Sequence, residues 1–174
     1  MRLVPVASLA ALVFATTALA GSSALKDPSQ LILGRGDFPA GAKYTWGQMP
    51  KNYIQGLAGA GIKGKAAFFH TQIGSGSKAQ TVDGVVTTTG SPAQAQRLYR
   101  LSKDDLGRGT SVRLPSYGGD QTGRITTSVS KIQVLVLKNR VVWQVETAVG
   151  APKAALVAQI KKYASKQQRK IGAG

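Results

Sequence analysis

From Gly123 to Val149 side-chain character alternates with a period of two, in two successive runs. Ile132, Val134 and Val136 fall on one side of the first run, with Leu135 and Leu137 on the other. In the second, Val141, Trp143, Val145, Thr147 and Val149 alternate with Val142, Gln144, Glu146 and Ala148. A period of two belongs to a β-strand, whose successive side chains point to opposite faces. Lys138-Asn139 between the runs suits a two-residue turn, because Asn tolerates positive φ. The expectation is a strand run over 123–137, hairpin-paired to a second strand, with one strongly apolar face that must be covered. The cover follows directly. After Pro152, residues Leu156, Val157, Ile160, Tyr163, Ala164 and Ile171 share one arc at a spacing of 3.6, which predicts an amphipathic helix.

The upstream chain supplies more of the same parts. Ala42 to Trp46 reads as a short strand, and Lys51 to Ala60 as a short helix stopped by Gly59 and Gly61. Lys65 to Ile73 and Gln80 to Thr89, rich in Val and Thr, read as a hairpin of two strands. Ser91-Pro92 opens a further helix, with Ser91 as N-cap and Pro92 at the first turn. Its apolar face is Ala95, Leu98, Tyr99 and Leu101 to Leu106, and Gly107 ends it. Residues 107–122 read as a long loop. Hairpin-linked strands with interspersed helices predict α+β: an antiparallel sheet of about four to six strands with helices packed on it, in one domain over 44–174.

The N-terminus reads differently. Met1-Arg2 is a short positive start, Leu3 to Leu19 is largely apolar, and Ala18-Leu19-Ala20 is a small-x-small cleavage pattern. Residues 1–20 are expected to be a secretory signal peptide cut after Ala20, with no membrane span in the remainder. Residues 21–43 form an extended lead-in segment in which Leu31, Ile32 and Leu33 make an apolar patch. The chain has no cysteine. That excludes disulfides, a disulfide-linked partner, thiolate zinc sites and cysteine nucleophiles. The style is that of a bacterial exported protein.

Within the lead-in, "LILGRGDFPAG" contains Arg35-Gly36-Asp37, a cell-adhesion triplet. It also resembles the leucine-rich, Asp-Leu-Pro-(Ala/Ser)-Gly opening of small exported actinobacterial proteins of unassigned function. Lys51 to Gly61, Ser91-Pro92 with Ala95, and Gly119-Asp120 through Val149 match the later parts of that pattern. The resemblance implies a Mog1/PsbP-like α+β domain and carries no catalytic residue. Under it, Asp37 to Gly41 is a turn, with Asp37 as its side-chain acceptor, rather than an adhesion loop.

Other short motifs favour plain structural readings. Gly59, Gly61 and Gly64 form a G-x-G-x-x-G, but it follows a helix and precedes a strand, the reverse of a dinucleotide fold. "SGSK" and "SVSK" place serine in a loop or strand, not at a helix start. His70 is the only histidine and reads as a half-buried strand residue. Asp104-Asp105 diverge on a helix and read as a solvated helix end. No catalytic, cofactor-binding or metal-binding residue is expected, and no cofactor.

The partner signal is charge. The formal net charge is +16, with 23 Lys and Arg against seven Asp and Glu. On the last helix Lys161, Lys162, Lys166, Arg169 and Lys170 occupy the arc opposite the apolar one, with no acid among them. These five are the candidate site, for an anionic surface (lipid or wall polymer) or an acidic protein at the cell surface. Nucleic acid ranks below these for an exported chain. The expected function is an exported non-enzymatic α+β module. The alternative is an extracytoplasmic hydrolase or transferase with its site in the 107–122 loop.

Overall fold

The computed structural model describes residues 26–76, 79–106, 110–111, 113–126, 131–149 and 153–173. The expected signal peptide and its cleavage site lie outside the described residues, as do Gly107, Ser128 and Pro152.

The strands form one antiparallel sheet: β1 (Lys43–Gln48), β2 (Gly64–Ile73), β3 (Gln80–Thr89), β4 (Thr110–Ser111), β5 (Asp120–Thr126), β6 (Lys131–Lys138) and β7 (Val141–Val149). Their spatial order is β1-β2-β3-β7-β6-β5-β4. Two meanders, β1–β3 and β4–β7, are thus joined along β3 and β7. Three helices complete the domain: α1 (Lys51–Gly59), α2 (Pro92–Asp105) and α3 (Lys153–Ala173). The expected α+β class holds. Among the described residues the count is six strands of ordinary length plus the two-residue β4.

Two details differ from the sequence reading. The run from Gly123 to Leu137 is not one strand. It is β5 and β6 folded on each other, with Gly123 opposite Val134, and Asp120 to Thr122 belong to β5 rather than to a loop. The β6–β7 turn is also shifted by one residue, because Lys138 pairs with Val141 and leaves Asn139-Arg140 as the turn. Asn139 carries the positive φ of 54°, as expected of it, but at the first rather than the second position of the turn.

One sheet face carries the larger core. Phe69, Val82, Val86, Ile132, Val134, Val136, Trp143 and Val145 point into it, under Leu156, Ile160, Tyr163, Ala164 and Ile171 of α3. Trp143 is fully buried, and it stands opposite Val136 on β6 and Val86 on β3. Gly84 matters here: a Cβ would sit 2.2 Å from the Phe69 ring, so only glycine lets that ring lie over β3. The lead-in segment docks on the same face, with Leu31, Ile32, Leu33 and Phe38 all buried. It is not fully extended, since Pro28–Gln30 and Arg35–Asp37 are 3-10 turns.

The opposite face holds a smaller cluster of Leu57, Ile62, Ala95, Leu98, Tyr99 and Leu106 from α1 and α2, over Leu135, Leu137 and Val142. Ser91 caps α2 as expected, its hydroxyl accepting from Gln94 N. Leu101, assigned to the apolar face from periodicity, is 45% exposed instead. Helical rotation turns it off the arc of Ala95, Leu98, Tyr99 and Leu106, onto the flank of α2. Gly61 has φ +70° and follows the helix end, where Ile62 N donates to Leu57 O. The glycine motif therefore terminates α1.

Candidate functional site

α3 presents the five candidate cations in two groups. Lys161, Lys162 and Arg169 are exposed, whereas Lys166 and Lys170 are half-buried. The difference comes from the lead-in segment. Lys166 Nζ donates to the carbonyl of Asp37, and Lys170 Nζ lies 3.9 Å from the Asp37 carboxylate. Lys162 and Lys166 also lie near the Tyr163 ring, at 5.3 and 5.9 Å. Within the helix no acid offsets these charges, but tertiary folding brings one. The outward-facing set is thus three residues, and the other two act as a clasp.

The clasp settles what the Arg35-Gly36-Asp37 triplet does. Asp37 closes its own turn by accepting from Gly34 N at 2.8 Å, as the turn reading expects. Phe38 next to it is buried against Tyr163 and Tyr44 at ring distances of 5.1 and 5.7 Å. Gln167 is fully buried and its side-chain amide donates to the Leu31 carbonyl. An adhesion triplet needs its Asp carboxylate free at an exposed tip. This one is committed to a backbone N–H and a lysine.

Burial around the clasp perturbs the phenols. Tyr163 and Tyr117 have pKa values raised by desolvation. Tyr44 is raised by desolvation and by the nearby Asp37 charge, while its hydroxyl donates to Leu33 O at 2.7 Å.

On the other face, beyond the helices, the sheet is open and polar. His70 is exposed there rather than half-buried, and its Nδ1 pairs with Asp83. Asp83 stands opposite Glu146, and Glu146 opposite Gln133. Two carboxylates face each other directly, which is unfavourable unless each is compensated. His70 does this on one side. Lys131 at 2.8 Å and the Gln133 amide at 2.7 Å do it on the other. Between this row and α2 lies a groove of about 220 Å³, with Val85, Gln133 and Gln144 as floor and Tyr53, Leu98 and Asp105 as walls. Among the described residues no group of three His, Cys, Asp or Glu side chains could hold a metal ion.

The segment 107–122 is not an open loop where it is described. Thr110–Ser111 and Asp120–Thr126 are strands. Gln121 ties the residues between them, accepting from Tyr117 N and donating to Pro115 O, both at 2.9 Å. Tyr117 is buried edge-on against Trp143. His70 sits on β2, with β3, β7 and β6 between it and β5. The roles of Gln167, Tyr117 and Gln121 are not expressed in local periodicity. The usable signal was a Gln on the apolar arc of α3, four residues after Tyr163 and four before Ile171.

No protein-family model and no curated protein matches the chain. A similar solved structure is the extracellular domain of PknH from Mycobacterium tuberculosis, 14% identical, covering 84% of this chain and 97% of that one at a TM-score of 0.47. A likeness of that degree leaves the functional reading resting on this chain's own residues. They form an α+β domain with no cysteine. Among the described residues no helix is long and apolar enough to cross a membrane.

Proposed function

We propose that this chain is an exported, non-enzymatic binding module that docks on an anionic partner at the cell surface through the outward face of α3. The observation that carries the reading is the exposed set Lys161, Lys162 and Arg169, on a helix without acids in a chain of net charge +16. Export rests on the apolar run Leu3 to Leu19 and the Ala18-Leu19-Ala20 pattern. Membership among small exported actinobacterial proteins with an Asp-Leu-Pro-like motif belongs to the same reading.

The test is vesicle co-sedimentation with phosphatidylglycerol at low salt. Each cation near an anionic membrane contributes about 1 kcal/mol, so Lys161→Gln/Lys162→Gln/Arg169→Gln should weaken binding by roughly two orders of magnitude. Lys166 and Lys170 are kept, because they hold the Asp37 turn. Parent binding should also fall steeply with added salt. Unchanged binding by the triple variant sinks the reading. N-terminal sequencing of secreted material should begin at Gly21.

A further inference from the structure

A second cationic feature lies at the free edge of the sheet. Among the described residues β1 pairs only with β2. Along it runs a depression of about 510 Å³ lined by Arg35, Lys43, Tyr44, Thr45, His70 and Gln72. Lys43 stands opposite Gln72 and Thr45 opposite His70, so these four side chains leave the sheet on one face. Arg35 joins them from the 3-10 turn.

Among the described residues no carboxylate lines the depression. The acids next to its residues are already engaged. Asp37 holds Gly34 N and faces Lys170, and Asp83 takes Nδ1 of His70. Among the described residues the Arg35 guanidinium and the Lys43 ammonium have no side-chain partner, and Nε2 of His70 has none either. Two uncompensated cations sharing one hollow repel each other, and a bound anion relieves that cost.

We propose that this depression binds a phosphate ester. The donors lining it are a planar guanidinium, an ammonium, the Thr45 hydroxyl and the Gln72 amide. A carboxylate offers them two oxygens in one plane, whereas a phosphate ester sets its oxygens tetrahedrally, with three non-bridging ones in a monoester and two in a diester. Tyr44 keeps its hydroxyl on Leu33 O and forms a wall. The proposal rests on the reading that the chain binds an anionic partner, and it names that partner's chemistry at a place separate from α3.

Isothermal titration of the purified protein at low salt tests it, with glycerol 1-phosphate as probe and galacturonate as the carboxylate counterpart. Glycerol 1-phosphate should bind the parent. It should bind Arg35→Gln/Lys43→Gln at least tenfold more weakly, and the α3 triple variant unchanged. Galacturonate should bind the parent at least tenfold more weakly than the phosphate. Arg35 and Lys43 are exposed, and a thermal melt checks that the double variant folds. Should it not, Lys43→Gln alone carries the comparison. Phosphatidylglycerol vesicles then separate the sources. Loss of vesicle binding in the double variant assigns the phosphate to a lipid headgroup, and retention assigns it to a soluble or wall-borne ester. Either result keeps the site. Absence of glycerol 1-phosphate binding, equal binding by the double variant, or equal affinity for galacturonate overturns it. A triple variant that still loses vesicle binding leaves the α3 reading standing even then.

Discussion

The two faces of the sheet are built from the same strands and behave differently. Under α3 the face is largely apolar from β2 to β6, with Trp143, Ile160 and Tyr163 buried in its core. The other face is apolar only beneath α1 and α2 and becomes a row of His70, Asp83, Glu146 and Gln133 beyond them. Strand alternation fixes which residues share a face. The cover available, helix and lead-in together, fixes how much of that face can be apolar. α3 has 21 residues and α1 and α2 have nine and 14, so the helices are closely matched, and the difference is the lead-in segment, which adds Leu31 to Leu33 and Phe38 to the side that α3 covers. The surplus of cover went to one face, so polar side chains occupy the remainder of the other.

Removing the center of the sealed face tests this most severely. Trp143→Ala should cost about 3–5 kcal/mol, the usual range for a buried large aromatic, measured by denaturant melts. A change under about 1 kcal/mol would mean the register opposite Val86 and Val136 is wrong. On the same face, Gln167→Ala removes the donor to the Leu31 carbonyl and should cost about 1–3 kcal/mol, the price of a buried acceptor left unpaired.

Alkaline pH separates the faces by another route. The phenols with raised pKa, Tyr44, Tyr117 and Tyr163, all belong to the sealed side. In the unfolded chain they ionise near the ordinary value of about 10, while the folded state holds them neutral. Above that pH the unfolded state binds fewer protons, so stability is complete below about 10 and is lost as pH rises toward the folded values. Tyr163→Phe should move the alkaline unfolding midpoint upward, and a midpoint that does not move would assign the transition to other groups. The smallest effect belongs to the open face. There His70→Gln should change stability by no more than about 0.5 kcal/mol, and a larger loss would show that the row is structural rather than solvated.

Much of the architecture was legible in the chain. The hairpin of β2 and β3, the Ser91-Pro92 start of α2, and the arc from Leu156 to Ile171 all follow from local periodicity and capping, which depend on near neighbours. The errors came where local pattern is degenerate. Thr-, Gly- and Gln-rich residues 120–126 have no apolar alternation, and their strand exists because β6 offers a pairing edge. Leu101 belongs to an apolar stretch of sequence, but helical rotation turns it off the arc that Leu98 and Leu106 bury. At the candidate site, the five cations of α3 were readable as one charged arc. Their division was not, because Asp37 is more than 120 residues away in sequence.

By itself, then, the sequence determined the α+β class, the sealed face, the cover helix and the sign of the surface charge. Each of these follows from side-chain identity at a fixed spacing along one element. Tertiary structure alone decided that Asp37 is spent on Gly34, Lys166 and Lys170, that Tyr117 plugs the core beside Trp143, and that Arg35, Lys43 and His70 meet at the edge of β1. Those are distances between elements, set by how the meanders close on each other and where the lead-in segment docks, and no local period encodes them.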